Sequence, residues 1–358
     1  GFDNVGVGFG ALKLNVIGNG NTALGSEALS KNLSDWNTAV GYKAMEDNTI
    51  GVSNVALGSS SLRYNKAGSN AVAIGNEAMQ YANDRTTPFE NKNVAVGYQS
   101  QMGSTTPTNN TGSLNTSVGY QTLANISYGS NNTAVGSYAL NLNDGGYGNS
   151  AFGQSALSIN TGSSNTAMGA RALILNTTGV SNTANGVEAL YGNNTGSNNV
   201  AIGNSALHDN IAGSNAVAIG KSAMVYSNNT TTAFDNHNVA IGFESLRGST
   251  TPANNTGNFN TAIGYQTLLN NSTGQENSAI GVFALRNNTT GYANVAVGTN
   301  AMQNNTTGYI NTALGNSSLA SNTEGSYNTG LGRQALNRNT TGEQNTAMGD
   351  QALLFNAT

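Results

Sequence analysis

Cysteine is absent from this 358-residue chain, so neither a disulfide framework nor thiolate metal sites can hold it together. Charge is scarce as well: charged residues make up 8% and the formal net charge is −4. With no basic stripe to neutralise phosphates, the composition argues against nucleic acid as a partner, and against a membrane surface for the same reason. No apolar run approaches the roughly 18 residues that span a bilayer, so no membrane insertion by this segment is expected. The opening stretch, GFDNVGVGFGALKL, lacks the basic, apolar and small-residue order of a secretory signal. Only two histidines occur, His208 and His237, with no partner pattern, and His208 is read as solvent-facing. Carboxylates such as Glu27, Asp35, Glu46, Glu188, Glu244 and Asp350 are scattered singly, unlike the dense sets of calcium-binding β-rolls. The glycine-rich text has no strand-loop-helix context for phosphates. No enzyme, metal or cofactor is therefore expected.

What is present is repetition. A nine-residue phrase occurs twenty times: Asn, Thr or Val, Ala, a large apolar residue, Gly, two free positions, a small residue, and Leu or Met. Examples are Asn21 to Leu29 (NTALGSEAL), Asn132 to Leu140 (NTAVGSYAL) and Asn199 to Leu207 (NVAIGNSAL). The step between phrase glycines is 17, occasionally 16, except for four steps of 22. A fixed short period across the chain means one supersecondary unit stacked on itself. The expectation is all-β: a parallel β-solenoid, or β-roll, of about 20 coils, with residues 1–358 as one continuous array. It starts and stops within about one repeat and shows no polar cap, so it is expected to be a fragment of a longer fibre protein.

Within the phrase, the second and fourth positions share one side of an extended strand and the third points to the other. The fourth is large and apolar in 19 of 20 copies, which assigns Val40, Ile74, Ile202, Ile219 and Ile263 to the core. The ninth is Leu or Met in 19 of 20, adding Leu29, Leu140, Leu207 and Leu285. The second, Thr in 10 copies and Val in 8, reads as half-buried beside that core. The third is Ala in 17 copies, and this demand for smallness means that its side packs closely too. The phrase Gly ends the strand where the backbone turns with positive φ or passes close to a neighbour. At about 4.8 Å per coil, twenty coils make a rod on the order of 95 Å long. The core is thin, so Asn ladders, coil-to-coil hydrogen bonds and association of several chains are expected to help stabilise it.

The phrase with its Asn-Thr-Gly corners resembles the head repeats of trimeric autotransporter adhesins; Ser69 to Met79 (SNAVAIGNEAM) and Ser214 to Met224 (SNAVAIGKSAM) lie nearest to it. The longer NTAxGxxALxxNTTG form is also similar to repeats of tail-fibre-like proteins of phages and bacteria. The resemblance implies left-handed winding, a homotrimer, and an extracellular fibre on a bacterial cell surface or a phage virion. It implies a fibre that touches a cell surface, so non-enzymatic cell adhesion is expected, and the expected partner is a glycan or protein of a host or neighbouring cell. The period of 17 is longer than that of the adhesin heads.

The four 22-residue steps form two pairs, in coils 75–119 and 220–264, offset by 145 residues. Flanking text repeats too, GSTTPTNNTG at 103–112 against GSTTPANNTG at 248–257, and all three prolines fall in these coils. Extra residues confined to particular coils map to loops on one face, often the binding face. Candidate ligand contacts are Tyr81, Asp84, Arg85, Phe89, Tyr226, Phe234, Asp235 and His237, because aromatic faces beside Asp, Asn and Thr suit sugars. Simple loop growth is the competing reading. Recurrent tyrosines such as Tyr98, Tyr120 and Tyr292 read as structural stacking before they read as a carbohydrate ladder. Two other functions stand beside adhesion: a purely structural spacer, and an ice-binding solenoid whose Thr row would have to face outward.

Overall fold

A computed structural model describes residues 1–357 as two compact units, Gly1–Thr178 and Gly179–Thr358. Each unit is a parallel β-solenoid of ten coils. The phrase strands run from Val5–Val7 to Thr166–Met168 in the first unit and from Thr183–Asn185 to Thr346–Met348 in the second. Every phrase strand is three residues long, and its partner is the same three phrase positions of the adjacent coil, as in Thr312↔Thr329, Ala313↔Gly330 and Leu314↔Leu331. The rest of the coil bonds between coils as well: Asn300 N donates to the Val282 carbonyl and Met302 N to that of Ser318, both at 2.9 Å.

The coil turns through backbone conformations that most side chains avoid. In the coil of Gly315, Ile310, Ser317 and Leu319 have φ of 52°, 54° and 52°, and these three places are left-handed in coil after coil. A β-branched residue pays the highest steric penalty there, which Ile310 bears at an exposed corner but an anchor packed in the core does not. This explains an anchor of Leu or Met and never Ile or Val: the anchor must fill the core from a left-handed backbone. Gly281 has φ 132°, and a Cβ on it would lie 2.6 Å from the Gly298 oxygen, so both reasons for a glycine apply at once. The corner Gly291 needs only the space, since its Cβ would meet Asn288 Oδ1 and the Gly308 oxygen, both at 2.4 Å.

The interior reverses the expected sides of the strand. The third-position alanines, such as Ala23, Ala134 and Ala296, are fully buried, together with Leu29, Leu140, Leu207 and Leu285. None of the twenty fourth-position residues is buried: Val40, Ile74, Ile219 and Ile263 are half-buried on the outer face of the sheet, and Ile202 is 38% exposed. A ring of 17 residues is too narrow for a large side chain from the strand as well as the anchor, so alanine points in and the bulky residue out. The eighth-position alanines, such as Ala28, Ala139 and Ala284, are buried as well, and the interior at the corners is polar. The phrase-opening Asn forms one ladder, in which Asn311 N and Nδ2 donate to Asn294 Oδ1 at 3.0 and 3.1 Å. The corner Asn forms a second, in which Asn305 Nδ2 donates to Asn288 Oδ1 at 2.8 Å and to the Gly308 carbonyl at 2.9 Å. Away from the terminal coils both ladders are buried, so their amides satisfy backbone groups that the corners would otherwise orphan.

Candidate ligand-binding site

The longer coils differ in how they use their extra residues. In the first of each pair the added chain returns to the body: Phe89–Glu90 pairs in parallel with Gly68–Ser69, and Phe234–Asp235 with Gly213–Ser214. The rings of Phe89 and Phe234 lie across Gly68 and Gly213, where an added Cβ would come within 2.5 Å of each ring. In the second of each pair the identical GSTTP text builds a shelf with a 3-10 turn, Pro107–Asn109 or Pro252–Asn254. One asparagine holds each shelf. Asn110 Oδ1 accepts from Ser104 N at 3.0 Å, while its Nδ2 donates to the Ser104 carbonyl at 2.9 Å and to the Tyr81 carbonyl. Asn255 repeats this with Ser249 and Tyr226.

The residues expected to contact ligand are mostly engaged in packing. Tyr81 stacks on Tyr64, with ring centroids 5.2 Å apart, and its carbonyl anchors the shelf. Arg85 N donates to Asn83 Oδ1 at 2.8 Å, and its side chain is exposed. Asp84 has a buried carboxylate oxygen without a hydrogen bond. In the second copy, Asp235 Oδ1 accepts from Asn215 Nδ2 at 2.9 Å and Oδ2 lies 4.0 Å from His237 Nε2. His237 stacks on Phe259 at 5.0 Å. Tyr226 is half-buried and supplies the carbonyl that Asn255 binds. The first insertions thus bring aromatics and acids near the body, where the rings serve the fold.

The aromatic rows give the same answer. Tyr98 and Tyr120 stack at 5.3 Å with 14° between planes, Phe243 and Tyr265 at 5.3 Å with 10°, and Tyr292 and Tyr309 at 4.8 Å with 5°. Rings stacked face to face along the coils spend their faces on each other and show solvent their edges, which suits structure better than sugar. Trp36 lies across Gly20, whose added Cβ would touch the ring at 2.4 Å. His208 is half-buried rather than solvent-facing: it stacks on Tyr191 at 4.8 Å, and its Nδ1 lies 2.6 Å from Asp209 Oδ1. Among the described residues, no three His, Asp or Glu side chains converge as a metal site.

Beside each shelf lies an open groove, of about 490 Å³ in the first unit and about 470 Å³ in the second. Equivalent residues line both, Ser104, Thr105, Asn109 and Asn125 against Ser249, Thr250, Asn254 and Asn270. These small polar side chains carry neither ring nor charge, so they were not among the contacts expected from the sequence. The signal was the near-identical shelf text in both blocks. A second surface is the outer face of the sheet, where large residues such as Leu57, Phe152 and Met168 in the first unit, and Ile280 and Leu314 in the second, stand more than 40% exposed. No protein-family model matches the chain, and no curated protein matches it either.

Proposed function

We propose that the chain is a non-enzymatic segment of an extracellular attachment fibre, carried on a bacterial surface or a phage virion and assembled as a homotrimer. The observation that carries this reading is the outer sheet face, where Thr, Val or Ser and, in every coil but that of Asn185, a large apolar residue repeat in register along ten coils of each unit. Contiguous apolar surface of that kind is rare on a solitary soluble chain and marks an interaction face. Covering a half-exposed Ile or Leu recovers roughly half of the about 1.5–3 kcal/mol of full burial, so the gain accumulates over the coils. Like copies supply the matching period. The shelves and loops of the longer coils then remain for contact with a cell surface.

The test has two arms. Light scattering should report three chains for the native protein and one for Ile280→Asp combined with Leu314→Asp; a native monomer refutes the assembly. Replacing the longer coils by plain 17-residue coils should abolish cell binding while the circular dichroism of the fold is kept. Unchanged binding refutes attachment through the loops and leaves a spacer. One observation favours a second reading: the Thr and Val column faces outward, as ice binding requires. The neighbouring column mixes Val, Leu, Ile, Phe and Met and breaks the flatness that ice needs. A clear thermal hysteresis from the purified protein would favour ice over attachment.

A further inference from the structure

The two grooves share a shelf but differ in what faces it. In three successive corners of the second unit a threonine ties its coil to the next: Thr289, Thr306 and Thr323 each donate their hydroxyl to the following threonine's carbonyl, at 3.0 to 3.1 Å. Asp144 stands 145 residues before Thr289, in the same place of the first block. A carboxylate cannot donate, so Asp144 leaves that ladder. It is exposed, and its side chain makes no hydrogen bond or ion pair among the described residues, while its carbonyl still accepts from Tyr128 N at 2.9 Å. Tyr128 stands where the second block has Thr273, and Leu142 where it has Asn287. Tyr128 is 56% exposed and, unlike the stacked tyrosines, has no ring partner among the described residues.

We infer that the first-unit groove, lined by Tyr128, Leu142, Asp144, Asn109, Asn125 and Ser104, is a binding site for a neutral oligosaccharide. Its volume of about 490 Å³ falls within the roughly 300–1,000 Å³ of ligand sites. The free face of Tyr128 and the Leu142 side chain suit the C–H face of a pyranose. The Asp144 carboxylate accepts from two sugar hydroxyls, and the Asn109 amide both donates and accepts. Asp144 is the sole charged residue on this lining, so sialylated or uronic sugars are disfavoured. The second-unit groove is the unread version of the same shelf. There Asn287 and Thr289 are already bonded to the next coil, at 3.0 Å each, and the charged lining residue is Arg247.

This inference rests on the attachment reading and names its ligand class. The experiment titrates the purified chain with neutral gluco-, galacto- and manno-configured trisaccharides and with sialyllactose, read by saturation-transfer NMR and calorimetry. One neutral sugar should bind with one site per chain. Tyr128→Thr and Asp144→Thr, which install the second block's own residues, should each weaken it at least tenfold with an unchanged melting curve. Grafting Thr273→Tyr, Asn287→Leu and Thr289→Asp should raise the stoichiometry to two. Equal binding by the Tyr128 and Asp144 variants, or no binding of any neutral sugar, overturns the site. Cell binding measured in parallel separates the two readings: cells bound without sugar overturn this site and leave attachment standing, whereas sugar bound without cells supports the site and overturns attachment.

Discussion

Asn294 belongs to the phrase-opening ladder and is fully buried. Its Oδ1 accepts from Asn311 N at 3.0 Å and from Asn311 Nδ2 at 3.1 Å, while its own Nδ2 donates to Asn277 Oδ1 and the Gly308 carbonyl. In Asn294→Ala the Gly308 carbonyl keeps Asn305 as a donor, and Asn311 Nδ2 keeps the Gly325 carbonyl. The Asn311 N–H keeps nothing. An orphaned buried N–H costs about 1–3 kcal/mol and each lost amide bond about 0.5–1.5, so the substitution should cost roughly 2–4 kcal/mol. The chain carries alanine here twice, at Ala71 and Ala216, which looks like proof of tolerance. It is not, because the next coil's Asn93 N donates instead to Asn91 Oδ1 at 3.2 Å, and Asn238 N to Asn236 Oδ1 at 3.2 Å. Both rescuing asparagines lie in the insertions. Hence Asn91→Ala should be as damaging as a ladder substitution, though it alters a residue outside the repeat. Urea unfolding followed by circular dichroism checks this, with the exposed Asn316→Ala as control, expected within about 0.5 kcal/mol of the native chain. If Asn294→Ala and Asn91→Ala move the midpoint no further than the control, the ladder does not carry the stability assigned to it.

Gln101 stands where other coils have Leu or Met, buried with its Oε1 unpartnered, so Gln101→Leu should stabilise by about 1–3 kcal/mol in the same unfolding assay. Ser222 has φ 57°, so Ser222→Val should cost about 1–2 kcal/mol while Ser222→Gly holds or raises the melting temperature. The hydrogen bond to Asp47 raises the pKa of Lys31, and that to Glu27 raises the pKa of Lys43, above the ordinary 10.5. Their contribution is full below 10.5 and is lost as pH rises through the raised values. Melting curves from about pH 9 to about pH 12 should therefore fall less steeply for Lys31→Met with Lys43→Met than for the native chain.

The coil, its period and its glycine corners were legible because each follows from spacing, and Leu29, Leu140, Leu207 and Leu285 were placed inside correctly. The side of the strand was not. Alternation says only that Thr22 and Leu24 face away from Ala23; hydrophobicity favoured Leu24 for the interior, and the width of the ring decided for alanine. The Asn ladders were expected and are present, but their complete burial was harder to read, since Asn at a corner ordinarily signals a solvated turn. Its presence at the phrase opening in 18 of 20 copies was the available clue, as a solvated corner has no such need. At the site, Phe89 and His237 have the chemistry of sugar contacts, but Gly68 and Phe259 claim their rings. Tyr128 and Asp144 stood out only against the second block, where both positions are threonine.

The left-handed Ile310, Ser317 and Leu319 imply how such a coil must come into being. Each such residue is strained by about 1 kcal/mol or more, and a coil alone has nothing to hold it. The coils on either side supply the carbonyls: Ile310 N donates to Tyr292 and Ser317 N to Thr299 in the preceding coil, and Leu319 N to Ala335 in the following one. The conformation is therefore copied rather than found. Growth resembles a crystal adding layers to a finished face: the first coils are the slow nucleus, and every later one reads its dihedral angles from the surface already laid down.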